Sequence, residues 1–342
     1  MNIFFYDVAI SVPLRQCFTY SSNLKIDKGS RVLVPFGNRK VIGIVIKKSK
    51  AVIGNNIEIK KIISKIDAHP VFNKSIFNTI LWSSEYYHHP IGEVFNTFIP
   101  NQLRKANNKV IEPLTVEESY QISINEKEKR FDLTSDQSKA LKQLLKLNSF
   151  QPSLLYGVTG SGKTEVYLRL VENCIKDEKS ALILVPEINL TPQLFNRFTS
   201  RFKGEIGLYH SRQTPAQRLK VWLNARFGNI KVVIGTRSAV LMPMKNIGLI
   251  VIDEEHDKSY RQSEGFKFSA RDIGIKRAQE EDIPIVLGSA TPSLQTLRLV
   301  KEEKYKKFDM LTRVDGKNPP KLIAMDINDT SLVGGVAPET LN

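Results

Sequence analysis

The chain has 342 residues, more than one hydrophobic core usually fills, so two or three domains are expected. Hydrophobic residues at 41% and charged residues at 25% exclude a disordered tail, no apolar run approaches the roughly 20 residues that span a bilayer, and the N-terminus lacks a signal-peptide pattern. A cytoplasmic protein without membrane contact is therefore expected. Fifty Lys and Arg against 35 Asp and Glu give a net charge of +15, and residues 1–110 hold 16 basic but only 6 acidic side chains, which favours a polyanionic partner such as nucleic acid. Two cysteines, Cys17 and Cys174, are too few for a disulfide framework or a four-ligand zinc site.

From Ile3 to about Ile66, short β-branched runs such as Arg31-Val32-Leu33-Val34-Pro35-Phe36 and Val41-Ile42-Gly43-Ile44-Val45-Ile46 alternate with turn residues, as in a small β-rich domain. Helical spacing of Phe72, Ile76, Phe77, Ile80 and Leu81 predicts one helix over 72–89, closing that domain before Pro90-Ile91-Gly92. Residues 101–130 are polar and charge-mixed and read as a linker with one hairpin. After Phe131 apolar runs alternate with amphipathic stretches: Leu154–Tyr156, Ala181–Val185, Ile206–Tyr209, Lys231–Ile234, Leu249–Ile252 and Pro284–Leu287. Near-continuous apolar strands alternating with helices predict an α/β fold, a parallel sheet with helices on both faces and ligands at the carboxyl ends of the strands.

The motifs fall at those ends. Gly157-Val158-Thr159-Gly160-Ser161-Gly162-Lys163-Thr164 fits the P-loop pattern between an apolar strand and a helical run. Its backbone N–H groups would surround the phosphates of ATP, Lys163 would neutralise their charge, and Thr164 would hold magnesium. Asp253-Glu254-Glu255-His256 directly follows the run Leu249–Ile252. Asp253 is suited to hold magnesium through water and Glu254 to orient and deprotonate the attacking water. Gln137, upstream of the P-loop, is a candidate reader of adenine through its amide.

Taken in order, Gln137, the P-loop, Val185-Pro186-Glu187-Ile188-Asn189-Leu190-Thr191-Pro192-Gln193, Gly235-Thr236-Arg237-Ser238-Ala239, Asp253–His256 and Gly288-Ser289-Ala290-Thr291-Pro292 resemble superfamily 2 helicases. The run from Asp257 through Ser259-Tyr260-Arg261-Gln262 to Ala270-Arg271-Asp272 is similar to a narrower family, the PriA-type replication-restart helicases. In the first third, Val12-Pro13-Leu14, Phe18-Thr19-Tyr20, Arg31–Gly37 and Tyr86–Glu93 are similar to that family's domain for the 3′ end of a DNA strand. The resemblance implies a RecA-like P-loop lobe preceded by a small β-rich DNA-binding domain. Residues 1–105 would form the 3′-end domain, 106–130 a linker, 131–320 helicase lobe 1, and 321–342 the start of a connection to a second lobe.

The resemblance also implies roles. Lys163, Thr164, Asp253 and Glu254 would serve ATP hydrolysis; His256, Ser289 and Thr291 would couple it to movement; Thr236 and Arg237 would contact the DNA backbone. Tyr260, Phe266 and Phe268 would form an aromatic loop for single-stranded DNA, which Gly265 and the charges Arg261, Glu264 and Lys267 put at the surface. The 3′-end pocket would involve Phe18, Thr19, Gly37 and Lys60, with Thr19 standing where relatives often have Asp. Forked and single-stranded DNA, primosome proteins and single-strand-binding protein are the implied partners.

Two departures stand out. The segment Asn101–Arg130 is too short for the winged-helix domain usual at that point, since small domains need roughly 50 residues. Gly334-Gly335-Val336-Ala337-Pro338 should lead into a second lobe, so the arginine finger and a cysteine-rich zinc insertion are expected only beyond Asn342. The sequence thus supports an ATP-dependent DNA helicase of replication restart, or alternatively a fork-binding module whose ATP site cannot hydrolyse without that lobe.

Overall fold

The computed structural model describes residues 3–50, 59–105, 111–113, 122–128, 130–187 and 192–316. Ile188–Thr191 of the Pro-Glu-Ile-x-Leu-Thr-Pro-Gln run and the expected connection at 321–342 lie outside the described residues, as do Lys109 and Val110.

The N-terminal sheet contains β1 (Phe4–Ile10), β2 (Phe18–Ser22), β3 (Arg31–Phe36), β4 (Arg39–Ser49) and β5 (Ser64–Lys65), antiparallel in the order β2-β1-β4-β3-β5. Period-two alternation sends Tyr6, Val8, Val32, Val34 and Val45 into a core of its own. Ala9 and Ile44 instead join a larger core with α1 (Lys74–Tyr86) and α2 (Ile91–Phe98). The single helix expected here is therefore two. Pro90 starts the second rather than ending the domain, and Ile91, Val94, Phe95 and Phe98 recur at helical spacing on its buried face. Arg31, 1% exposed, forks onto Asp67 at 2.6 and 2.7 Å and donates to Leu103 O at 2.5 Å, while Ile111 N donates to Asp67 Oδ1 at 2.9 Å. This buried pair ties the sheet to the chain that leaves the domain, at Leu103 and again at Ile111.

The second unit begins with β6 (Ser123–Ile124) and α3 (Ser135–Leu144), followed by β7 (Pro152–Gly157), α4 (Lys163–Lys176), β8 (Ser180–Leu184), α5 (Pro192–Arg201), β9 (Phe202–Lys203), β10 (Gly207–Tyr209) and α6 (Pro215–Phe227). It continues with β11 (Val232–Gly235), β12 (Ile247–Ile252), α7 (Ala270–Glu281), β13 (Ile285–Ser289), α8 (Leu294–Lys301) and β14 (Lys306–Met310). Seven strands form a parallel sheet in the order β10-β11-β8-β12-β13-β7-β14. Alternate residues serve opposite faces: Ala181, Ile183, Leu249 and Val251 pack under α4, while Leu182, Leu184, Ile250 and Ile252 pack with Trp222 and Ile273 of α6 and α7. Burial on both faces is why these strands read as continuous apolar runs. The edge strand β14 was not legible as one, because Lys306, Lys307 and Asp309 interrupt its apolar pattern.

Among the described residues of the linker, β6 pairs antiparallel with the distant β9. Beside that pairing, buried Arg201 donates to Glu172 at 2.9 Å, to Glu165 at 3.0 Å and to Glu128. These contacts fasten residues 122–128 to α4, the helix that follows the P-loop. The two units also share one core. Helix α1 lies on α7, with Asn73 and Asn78 donating to Glu281 and Glu280 at 3.0 and 3.1 Å, and the Phe72 ring meets Trp222 edge-on at 6.3 Å.

Candidate functional site

Adjacent strands β12, β13 and β7 bring three loops to one sheet edge: Asp253–His256, the Gly288–Pro292 turn and the P-loop. In the P-loop, Gly160 and Gly162 occupy the left-handed region with φ of 81° and 78°, which lets the backbone turn into the N-terminus of α4. Lys163 Nζ donates to Gly157 O at 2.9 Å and stands 3.7 Å from Glu254 Oε1, so the P-loop cation and the Glu254 carboxylate face one space. Thr164 is half-buried at the first turn of α4.

The acidic run is held by strand hydrogen bonds, Asp253 N to Leu184 O at 2.9 Å and Glu255 N to Gly288 O at 3.0 Å. Tyr167, one helical turn after Lys163 and fully buried, donates to Asp253 Oδ1 at 2.8 Å. Burial holds the Asp253 carboxyl above its ordinary range despite that bond. A Cβ at Gly288 would lie 1.7 Å from Tyr167 Oη and 3.1 Å from Asp253 Oδ1, so only glycine fits where β13 passes this pair. Glu254 sits at φ 45°, a strained backbone of the kind found at functional turns. A half-buried carboxylate, a hydroxyl at Thr164 and the P-loop N–H groups are oxygen and N–H donors that fit magnesium and phosphate chemistry. In the same loops His256 pairs with Ser289 Oγ at 2.8 Å and with Thr291 Oγ1 at 3.2 Å, linking all three coupling candidates directly.

Gln137 takes a different part from the one its position suggested. Its Oε1 accepts from Thr134 N at 2.8 Å in a capping box, its Nε2 donates to Ser161 O at 2.9 Å, and the residue is 3% exposed. The amide braces the P-loop turn from behind. Next to it, Asp136 accepts from Leu311 N and Thr312 N at 3.2 Å and from Thr312 Oγ1 at 3.0 Å; these bonds hold its carboxyl below the usual range and draw the segment after β14 against the P-loop.

The aromatic loop is not at the surface. Tyr260, Phe266 and Phe268 are 2%, 3% and 4% exposed. Phe266 and Phe268 stack at 5.0 Å and meet Tyr87 and Phe98 of the first domain, with ring centroids 5.7 Å apart for Tyr87–Phe266 and 5.5 Å for Phe98–Phe268. Gly265 and the neighbouring charges do mark an exposed turn, but the rings beside it point inward, where burial stabilises each by about 1.5–3 kcal/mol. Tyr260 Oη lies 2.6 Å from Asp253 O and 3.0 Å from Leu184 O, which joins this loop to the acidic run. Burial pushes the Tyr87 phenol up to about 12. Thr236 is buried just after β11, and Arg237 Nη1 donates to Arg261 O at 3.1 Å and Ser259 O at 3.3 Å, so Arg237 braces the same loop.

In the first domain, Phe18, Thr19, Gly37 and Lys60 line a single cavity of ≈ 450 Å³ together with Tyr20 and Phe36. Phe18 and Phe36 meet edge-on at 5.1 Å. Thr19 Oγ1 donates to Asp7 Oδ1 at 3.0 Å across the β1–β2 pairing, so a carboxylate stands beside Thr19 after all, supplied by the neighbouring strand.

Sequence reasoning missed Asp7, Asp136, Tyr167 and the pair Glu255–Arg271. Arg271 donates to Glu255 Oε2 at 2.9 Å, Ser293 N donates to Glu255 Oε1 at 2.7 Å, and this buried knot joins the acidic run to α7 and α8. Only Tyr167 left a trace, its four-residue spacing from Lys163, which puts both on one side of α4.

Comparisons with known proteins agree with this division. Residues 7–100 match the family described as the 3′ DNA-binding domain of PriA, and residues 134–300 match the DEAD/DEAH box helicase family. The replication restart protein PriA of Haemophilus influenzae is 32% identical over 96% of this chain and 55% of its own length. PriA of Rickettsia conorii is 34% identical over 91% of this chain and 46% of its own length. The chain thus spans about half the length of these curated relatives. Among solved structures, RecG bound to a three-way DNA junction aligns with a TM-score of 0.42 at 25% identity, covering 56% of this chain and 24% of RecG. No helix among the described residues is long and apolar enough to cross a membrane.

Proposed function

The chain belongs to the family of PriA replication restart proteins, and from that premise we propose that it is the end-reading and ATP-binding part of an ATP-dependent DNA helicase acting at stalled or branched forks. The observation that carries this reading is the continuous packing from the first domain's Tyr87 and Phe98, through Phe266 and Phe268, to Tyr260 and the carbonyl of Asp253. A domain that reads DNA ends is thereby in physical contact with the loop that would carry the hydrolytic carboxylates.

In hydrolysis, Lys163 would turn from Gly157 O to the phosphates of ATP, and Glu254 would take the proton of the attacking water at its carboxylate. Thr164 and Asp253 would hold magnesium, which would neutralise charge developing on the phosphates. Tyr167, by donating to one oxygen of Asp253, orients that carboxylate and leaves its second oxygen for the metal or its water shell. A second lobe would supply an arginine worth about 10³–10⁵ in rate, so residues 1–342 by themselves should bind ATP and turn it over slowly.

On this reading the cavity around Phe18 and Lys60 takes the 3′ end of a nascent strand, Thr19 and Asp7 accept its terminal hydroxyl, and unwinding runs 3′ to 5′. Primosome proteins and single-strand-binding protein are the proposed partners, and the cytoplasm the proposed compartment. The test is DNA-stimulated ATP hydrolysis by this chain beside the full-length protein, on a forked substrate with a 3′ end at the junction. Strong hydrolysis by the full-length protein alone is expected; fork binding without hydrolysis by either would replace the helicase with a binding module.

A further inference from the structure

A groove of ≈ 920 Å³ runs along the seam between the first domain and the lobe and shares no lining residue with the 3′-end cavity. Lys28, Lys47 and Lys74 line it from the first domain and Lys245 from the lobe, all four exposed. Phe72, Phe77, Phe227 and Met244 form its apolar floor, and no Asp or Glu is among its lining residues. The guanidinium of Arg226 is engaged elsewhere, donating to Pro70 O at 2.5 Å and to Val71 O, which keeps the seam closed beneath the groove. Lys74 faces Glu280 of α7 and Lys47 stands beside Asp7, which offsets part of each charge, so Lys28 and Lys245 dominate the field.

The groove and the 3′-end cavity are one layer of side chains apart. Lys47 Nζ in the groove stands 3.7 Å from Asp7 Oδ2, and Asp7 Oδ1 accepts from Thr19 Oγ1, in the cavity, at 3.0 Å. Cationic walls above an apolar floor suit a single strand of nucleic acid, whose phosphates need the first and whose base faces the second. An acidic peptide has similar chemistry, but the link from Lys47 through Asp7 to Thr19, in a cavity that fits a strand end, favours DNA.

We propose that the seam groove is a DNA site, holding the part of the strand that leads away from a 3′ end seated in the Phe18–Lys60 cavity. Its phosphates lie against Lys28, Lys47 and Lys245, so one strand bridges the end-reading domain and the helicase lobe. This rests on the end-reading function proposed above.

Binding of this chain to a labelled dinucleotide and to a strand of about 12 nucleotides, each ending in a 3′-hydroxyl or a 3′-phosphate, tests both ideas separately. Lys28→Glu and Lys245→Glu lie one on each wall, at exposed positions, and thermal melting checks that the fold is kept. The double variant should bind the longer strand on the order of tenfold more weakly, and the slope of log affinity against log salt should become shallower by about 0.7 per lost cation. Dinucleotide affinity and the preference for a 3′-hydroxyl should stay as they were. An unchanged salt slope and long-strand affinity, with the end preference intact, would overturn the groove alone. A chain without end preference whose double variant still loses long-strand affinity would overturn the end pocket and leave the groove standing as a DNA site.

Discussion

At the phosphate edge of the lobe, eight consecutive residues from Gly157 to Thr164 make the whole loop, whereas the cavity of the first domain draws Phe18 and Thr19 from β2, Gly37 from the β3–β4 turn and Lys60 from the segment before β5. On the function proposed above, the difference follows from the ligands. Phosphate is held by successive backbone N–H groups and a helix N-terminus, which only a contiguous stretch can supply. A nucleoside end needs walls on several sides, and walls come from strands that are neighbours in space but not in sequence. Local variation can therefore tune the cavity piece by piece, while the loop tolerates little change.

Perturbing one region without the other is the sharpest test of that contrast. Arg31→Ala should have the largest effect, about 3–5 kcal/mol of stability, because it leaves Asp67 as a buried, uncompensated charge. Thermal melting should show the first domain loosening, with binding of 3′-ended DNA lost and nucleotide affinity of the lobe kept. Concerted melting of both units would mean that their shared core makes them a single cooperative unit. Tyr167→Phe acts at the other region. Loss of a hydrogen bond to a charged group costs about 1.5–3 kcal/mol, so magnesium-dependent ATP affinity should fall roughly 10- to 100-fold while 3′-end binding is unchanged. An ATP affinity within about twofold of the parent would remove Tyr167 from the positioning of Asp253.

The smallest effect concerns the segment after β14. The Asp136 carboxyl is held below its ordinary range chiefly by the Thr312 hydroxyl, so its contribution to stability is fully present above the unfolded-state value and is lost as pH falls through the depressed folded-state value. Asp136→Asn should lower Tm by no more than about 2 °C at neutral pH, since the site is largely exposed, and should flatten the acid limb of the stability profile. Hydrogen exchange at Leu311 and Thr312 reads the same anchor, and unchanged protection in the variant would show that β14 alone holds the segment in place.

The amino-acid sequence by itself determined the parallel sheet, the P-loop and the acidic strand end, because apolar periodicity and motif spacing are local properties that survive reading in one dimension; the four cavity residues were implied by the family resemblance alone. It could not decide which way the rings of Phe266 and Phe268 point. Charged neighbours and a glycine mark an exposed turn equally well whether the rings beside it face water or a partner surface, and here that surface is α1 and α2, more than 160 residues upstream. The bracing contact of Gln137 was hidden for the same reason: its amide meets the carbonyl of Ser161 in the P-loop at 2.9 Å. Tyr167 under Asp253, Asp7 beside Thr19 and the lysines facing each other across the seam are likewise pairings between distant segments. Only the tertiary structure decided them, because hydrogen bonds and ion pairs depend on distances of a few ångströms that sequence separation does not encode.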